Sequence, residues 1–177
     1  MGGSDRPRKA PPSFPPRPGG PPGPLPPRPA QVFLYAIVHR RGRILLEESR
    51  RAEAPEVRLP ATPWREEISP RETICEYLAA GLDVHIIRTR LVYLLERAEG
   101  PGTLGLIFLV TVVGGIADGQ VRRDESGMVY RWATLDSRRT PSFHPTALSG
   151  RVLQDLPRRF PRFHYLAGDG GLAESRE

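Results

Sequence analysis

A single cysteine, Cys75, in a chain of 177 residues excludes an intramolecular disulfide framework and any Cys-x-x-Cys metal site. It fits a reducing compartment, and the residue reads as a half-buried thiol on a helix. No apolar run approaches the roughly 20 residues that cross a bilayer, and the N-terminus has no apolar core like that of a signal peptide. The expectation is a cytoplasmic protein with no membrane partner. The four histidines, His39, His85, His144 and His164, fall at no metal-ligand spacing. No internal repeat is visible.

Proline is abundant but confined. Residues 1 to 30 hold 12 of the 21 prolines, and their charges leave a net +4 of the chain's +6. Proline lacks an N–H and fixes φ, so this segment pairs in no sheet and continues no helix. It reads as a disordered, polyproline-leaning tail. Its arginines make an acidic protein or nucleic acid a conceivable partner, while the pI of about 10.2 says little about the domain once the tail is set aside.

Order is expected from residue 31 to about 157, as one α+β domain. Val32, Leu34, Ala36 and Val38 alternate with Phe33, Tyr35 and Ile37, which makes both faces apolar and places this strand inside a sheet. Arg41-Gly42 turns the chain, and residues 43 to 48 return as a second strand. Ser69-Pro70-Arg71-Glu72 is a helix start: the serine caps, proline suits the first position, and Glu72 completes a capping box. Ile74 and Leu78 form the apolar stripe, and Gly81 is the expected C-cap. Strands follow over 83 to 97, 104 to 113 and 128 to 134, then an amphipathic helix over 146 to 156. The charged stretch 122 to 127 reads as a loop. Residues 158 to 177, basic and aromatic and then rich in glycine, read as a loosely attached tail.

This order of elements resembles the Nudix hydrolase family over residues 31 to 156. Tyr35-Ala36-Ile37-Val38 through Gly42-Arg43-Ile44-Leu45-Leu46 is similar to its opening hairpin. Leu59-Pro60 and Gly81-Leu82-Asp83-Val84 are similar to the two ends of its signature box, and Tyr130-Arg131-Trp132-Ala133-Thr134-Leu135-Asp136 to its late tryptophan strand. The resemblance implies a mixed sheet flanked by helices. It also implies clustered glutamates on one helix face, holding Mg2+ or Mn2+ against a substrate diphosphate.

The box itself is degenerate. Ala61-Thr62 replaces the glycine pair after Leu-Pro. Counted forward from Thr62, the Arg-Glu pair falls on Glu76-Tyr77 and the Glu-Glu pair on Ala80-Gly81; counted backward from Gly81, the Glu-Glu pair falls on Leu78-Ala79. The acids left nearby are Glu66, Glu67, Glu72 and Glu76, which are the metal candidates. Glu72 and Glu76, four apart and therefore on one helix face, are the catalytic candidates. Against that, Glu72 serves equally as a helix cap and Glu76 as a solvated charge. Trp64, Arg65 and Tyr77 are candidate ligand contacts, and Trp64 suits base stacking or core packing.

Three functions are therefore expected in order. The first is a nucleotide- or partner-binding module with little or no diphosphate hydrolysis. The second is an active Mg2+- or Mn2+-dependent hydrolase with a rearranged carboxylate site that also draws on Asp124-Glu125. The third is a basic-tailed scaffold for nucleic acid. The arginine pairs Arg40-Arg41, Arg122-Arg123, Arg138-Arg139 and Arg158-Arg159 bind phosphates only if several converge on one face.

Overall fold

A computed structural model describes residues 31 to 49, 56 to 117, 120 to 124, 127 to 134, 142 to 160 and 163 to 166. The proline-rich tail, Glu125 and Arg138-Arg139 lie outside the described residues.

The elements run β1 (Gln31–Arg40), β2 (Arg43–Ser49), β3 (Glu56–Arg58), β4 (Ala61–Pro63), α1 (Pro70–Leu82), β5 (Val84–Glu96), β6 (Thr103–Gly114), β7 (Val121–Arg123), β8 (Val129–Thr134), α2 (Thr146–Asp155) and β9 (His164–Leu166). The strands form one mixed sheet in the order β7-β8-β2-β1-β6-β5-β9, with β3 on β2 and β4 on β1. β1 is central and lies parallel to β6 over eight paired positions, from Gln31 with Thr103 to Val38 with Val110.

That position explains the apolar character of both its faces. Leu34, Ala36 and Val38 point into a cluster with Ile74, Leu78 and Leu82 of α1. Tyr35 and Ile37 point into another with Leu148 and Val152 of α2. The two helices therefore cover opposite faces of the sheet. Each fully buried aliphatic side chain in these clusters contributes about 1.5–3 kcal/mol.

The local signals form as expected. Arg40 pairs with Arg43 across a two-residue turn in which Arg41 and Gly42 both take positive φ, at 47° and 74°. This primed turn matches the strand twist. At α1, the Ser69 hydroxyl accepts from the Glu72 N–H at 3.2 Å, and the Ser69 N–H donates to Oε2 of Glu72 at 3.1 Å. The capping box is complete.

Three expectations are corrected. α1 runs through Gly81 and ends at Asp83, whose left-handed backbone (φ 54°) donates its N–H to the Ala79 carbonyl. Gly81 is there for closeness instead: a Cβ on it would stand 3.1 Å from the Tyr130 hydroxyl oxygen. The stretch read as a loop from 122 contains β7, because Val121, Arg122 and Arg123 pair with β8. Residues after 157 are not all a loose tail. Phe160 is buried, and His164–Leu166 joins β5 as a parallel strand through Tyr93, Leu94 and Leu95.

Candidate functional site

One row of side chains crosses four strands on the α1 face. Arg58 of β3 is opposite Glu47 of β2, Glu47 is opposite Tyr130 of β8, and Tyr130 is opposite Arg122 of β7. Residues directly opposite in antiparallel strands share a face, so these four side chains stand side by side.

Glu47 is fully buried. Its Oε1 accepts from Nε of Arg58 at 2.6 Å and from the Ala61 N–H at 3.3 Å, and its Oε2 accepts from the Tyr77 hydroxyl at 2.5 Å. Burial pushes the carboxyl up to about 7, against the opposing pull of Arg58 and the hydrogen bonds from Tyr77 and Ala61. The Arg58 guanidinium, for its part, is held charged by Glu47 against its own desolvation.

From Tyr77 the network runs outward. Its hydroxyl lies 3.1 Å from that of Tyr130, which donates to Oδ2 of Asp124 at 3.3 Å. Burial, and then the Glu47 charge, raise the Tyr77 phenol far above its ordinary range, so it stays protonated and serves as a donor. Asp124 is fixed in turn, with Oδ1 accepting from the Met128 N–H at 2.9 Å.

Above this row lies an open cleft of about 450 Å³, lined by Tyr77, Ala80 and Gly81 of α1 and by Arg122, Arg123, Asp124 and Tyr130 of the β7-β8 arm. Its size is that of a small-molecule site. Tyr77, Ala80 and Gly81 are spaced three and four apart and face it together. They are three of the box positions given by the forward count. The backward count gives Leu78, which is buried in the core, and Ala79, which is exposed away from the cleft lining. Arg122 also donates from Nη1 to the Leu82 carbonyl at 2.9 Å. α1 has no basic residue in its last turn, so Arg122 offsets the helix's negative end from a neighbouring strand.

The acids singled out in the sequence are placed elsewhere. Glu72 is exposed and engaged in the capping box, which holds its carboxyl below the usual range through the Ser69 hydroxyl and N–H. Glu76 forms an exposed ion pair with Arg65. Glu66 and Glu67 are exposed in the turn before α1. Trp64 packs against the α1 cluster, and its indole N–H donates to the Ile68 carbonyl at 2.9 Å. Among the described residues no group of three or more His, Cys, Asp or Glu side chains is disposed to hold a metal ion. Of the candidates on and before α1, Tyr77 lines the cleft, and Arg122, Arg123 and Asp124, also named from the sequence, line it from the facing arm.

Sequence reasoning passed over Glu47 and Tyr130. A signal for the first was present: Glu47 follows Ile44-Leu45-Leu46 in a strand, on the same side as the buried Leu45. Tyr130 was read only as part of the tryptophan strand.

The chain matches no family model and no curated protein sequence. Solved structures do match. A Nudix hydrolase from Nitrosomonas europaea superposes with a TM-score of 0.58 at 21% identity, over 75% of this chain and 91% of that one. An ADP-ribose pyrophosphatase from Streptococcus suis gives 0.58 at 18% identity, over 78% and 98%. A MutT Nudix hydrolase from Burkholderia pseudomallei gives 0.53 at 23%, over 70% and 95%. The chain therefore has the Nudix fold. No helix among the described residues is long and apolar enough to cross a membrane.

Proposed function

We propose that this Nudix-fold protein is a binding module for a phosphate-bearing nucleotide, with little or no diphosphate hydrolase activity. The observation that carries the reading is the composition of the cleft wall. Where the fold family implies clustered glutamates, the helix presents Tyr77, Ala80 and Gly81, and the facing strand presents Arg122 and Arg123. A divalent cation needs several oxygen donors converging on one point. Glu47, beneath the cleft, does not fit that role, because both its oxygens are taken by Arg58, Ala61 and Tyr77, and Asp124 is the one acid among the described residues that line the cleft. Such a wall suits an anion directly: guanidinium forks meet phosphate oxygens, and phenol faces offer a stacking surface. Among the described residues, those that line the cleft do not fit Mg2+ or Mn2+ held by carboxylates.

Calorimetric titration of the full chain with ADP and ADP-ribose tests this. Binding is expected to be equal in EDTA and in Mn2+, and to weaken by about 10-fold or more in an Arg122→Gln, Arg123→Gln variant, since each 1.4 kcal/mol is tenfold. Hydrolysis of ADP-ribose, NADH or a nucleoside triphosphate with Mg2+, lost on Glu72→Gln or Glu76→Gln, would overturn it. The rival reading is an active metal-dependent hydrolase with rearranged carboxylates. It draws on Asp124 at the cleft and requires a Mn2+ affinity that Asp124→Asn abolishes.

A further inference from the structure

On the other face of the sheet, beside the C-terminal end of α2, lies a second cavity of about 510 Å³. It is lined by His39 of β1, Arg88 and Arg90 of β5, Leu109 and Thr111 of β6, and Arg159. Three guanidiniums converge there, and no carboxylate is among the lining residues. Protein surfaces ordinarily intersperse charges of both signs, so a concavity walled by one sign focuses a positive potential.

One of the three cations is built into the fold. Arg90 is half-buried and donates through Nη2 to the carbonyls of Arg159 and Phe160 at 3.0 and 2.7 Å. Those carbonyls belong to a turn in which Arg159 and Phe160 both take left-handed backbone, at φ 57° and 51°. Bulky residues adopt that region only where the surroundings hold them, here Arg90 and the burial of Phe160. The outcome is that Arg159 is presented to the cavity beside Arg88, over a floor of Leu109 and Thr111. Arg159 is thus separated from Arg122-Arg123, and they line different cavities.

We infer that this cavity is a second anion-binding site, independent of the cleft beside α1, and that it takes a compact, multiply charged phosphate compound such as a pyrophosphate or a phosphate ester. Its concavity favours a small ligand over a nucleic-acid backbone, which binds along open basic surfaces. The site provides fork-shaped donors from several directions, the Thr111 hydroxyl and the His39 ring, the donor set that suits clustered phosphate oxygens.

The full chain, titrated with inorganic pyrophosphate by calorimetry at about 150 mM salt, tests the site where surface charge is largely screened. An Arg88→Gln, Arg159→Asn variant removes two exposed cations, and asparagine tolerates the left-handed backbone at 159. Binding at this site is expected to weaken about 10-fold or more, with the thermal midpoint unchanged and the Arg122→Gln, Arg123→Gln variant still binding pyrophosphate here. Three results would each overturn the inference. Affinity could be unchanged in the 88/159 variant. It could fall equally in an Arg65→Ser, Arg71→Ser variant, which removes as much charge from the α1 side. Pyrophosphate could fail to bind, whether or not a single-stranded RNA does.

Discussion

Two buried acids on opposite faces of the sheet share the same chemistry and do different work. Glu47, on the α1 side, is held by Arg58 and the Tyr77 hydroxyl. Asp155, at the end of α2, is held by Nε of Arg151 at 2.9 Å and the Tyr93 hydroxyl at 2.6 Å. Each is a carboxylate, a phenol and a guanidinium. The second cluster closes on itself: Arg151 also reaches the His164 ring at 3.2 Å, and that ring stacks on Tyr93 with centroids 5.8 Å apart. It pins β9 to β5 and α2. The first does not close, because Tyr77 passes on to Tyr130 and Asp124 at the wall of the open cleft. A satisfied buried network is a strut when every partner lies inside, and it shapes a cavity wall when its last partner faces one.

The largest effects should come from removing either acid. Glu47→Ala and Asp155→Ala each strand a guanidinium and a phenol, at about 3–5 kcal/mol in urea unfolding. Hydrogen exchange separates the two: Asp155→Ala should speed exchange at Tyr165 and Leu166, and Glu47→Ala should not. Equal loosening of β9 in both variants would break the distinction.

A pH effect of similar size follows from Glu47. Its folded carboxyl titrates near 7, against 4.5 for an unperturbed glutamate, so between these values the folded chain binds more protons than the unfolded one. Stability from this group is therefore present below about 4.5 and is lost as pH rises through about 7, by roughly 3 kcal/mol. Glu47→Gln should flatten that part of the profile, measured as unfolding free energy from about pH 4.5 to about pH 8.

Gly81→Ala sharpens the role of the cleft. The new Cβ would press on the Tyr130 hydroxyl at 3.1 Å, while alanine gains about 1 kcal/mol of helix propensity over glycine. Stability should change by less than about 1 kcal/mol, and ADP binding should weaken several-fold, roughly 1 kcal/mol. The smallest effects belong to the acids outside the network. Glu72→Ala should lower stability slightly through the lost cap partner, and Glu76→Gln less still, as an exposed ion pair, neither altering ADP affinity. A tenfold change in affinity from either would return function to those two acids.

Much of the fold was legible because its signals are local. Alternating apolar residues from 31 to 38, the Arg41-Gly42 turn and the Ser69-to-Glu72 capping box each act over a few neighbours, and each formed where expected. The boundaries that differed depend on distant partners. β7 exists because β8 offers it a ladder, and β9 because β5 leaves an edge at Tyr93 to Leu95. Of the candidate site, Tyr77 was readable as an aromatic on the capped helix, and Arg122-Arg123 as a cation pair lacking a location.

By itself the sequence determined a hairpin, a capped helix and strands of known apolar faces. Only the tertiary structure decided that Tyr77, Ala80 and Gly81, rather than Leu78 and Ala79, face the cleft, and that Arg58, Glu47, Tyr130 and Arg122 form one row. The reason is physical: capping and turn energies depend on residues within a few positions, whereas cross-strand register and the burial of a charge depend on partners far apart in the chain, as Glu47 and Tyr130 are.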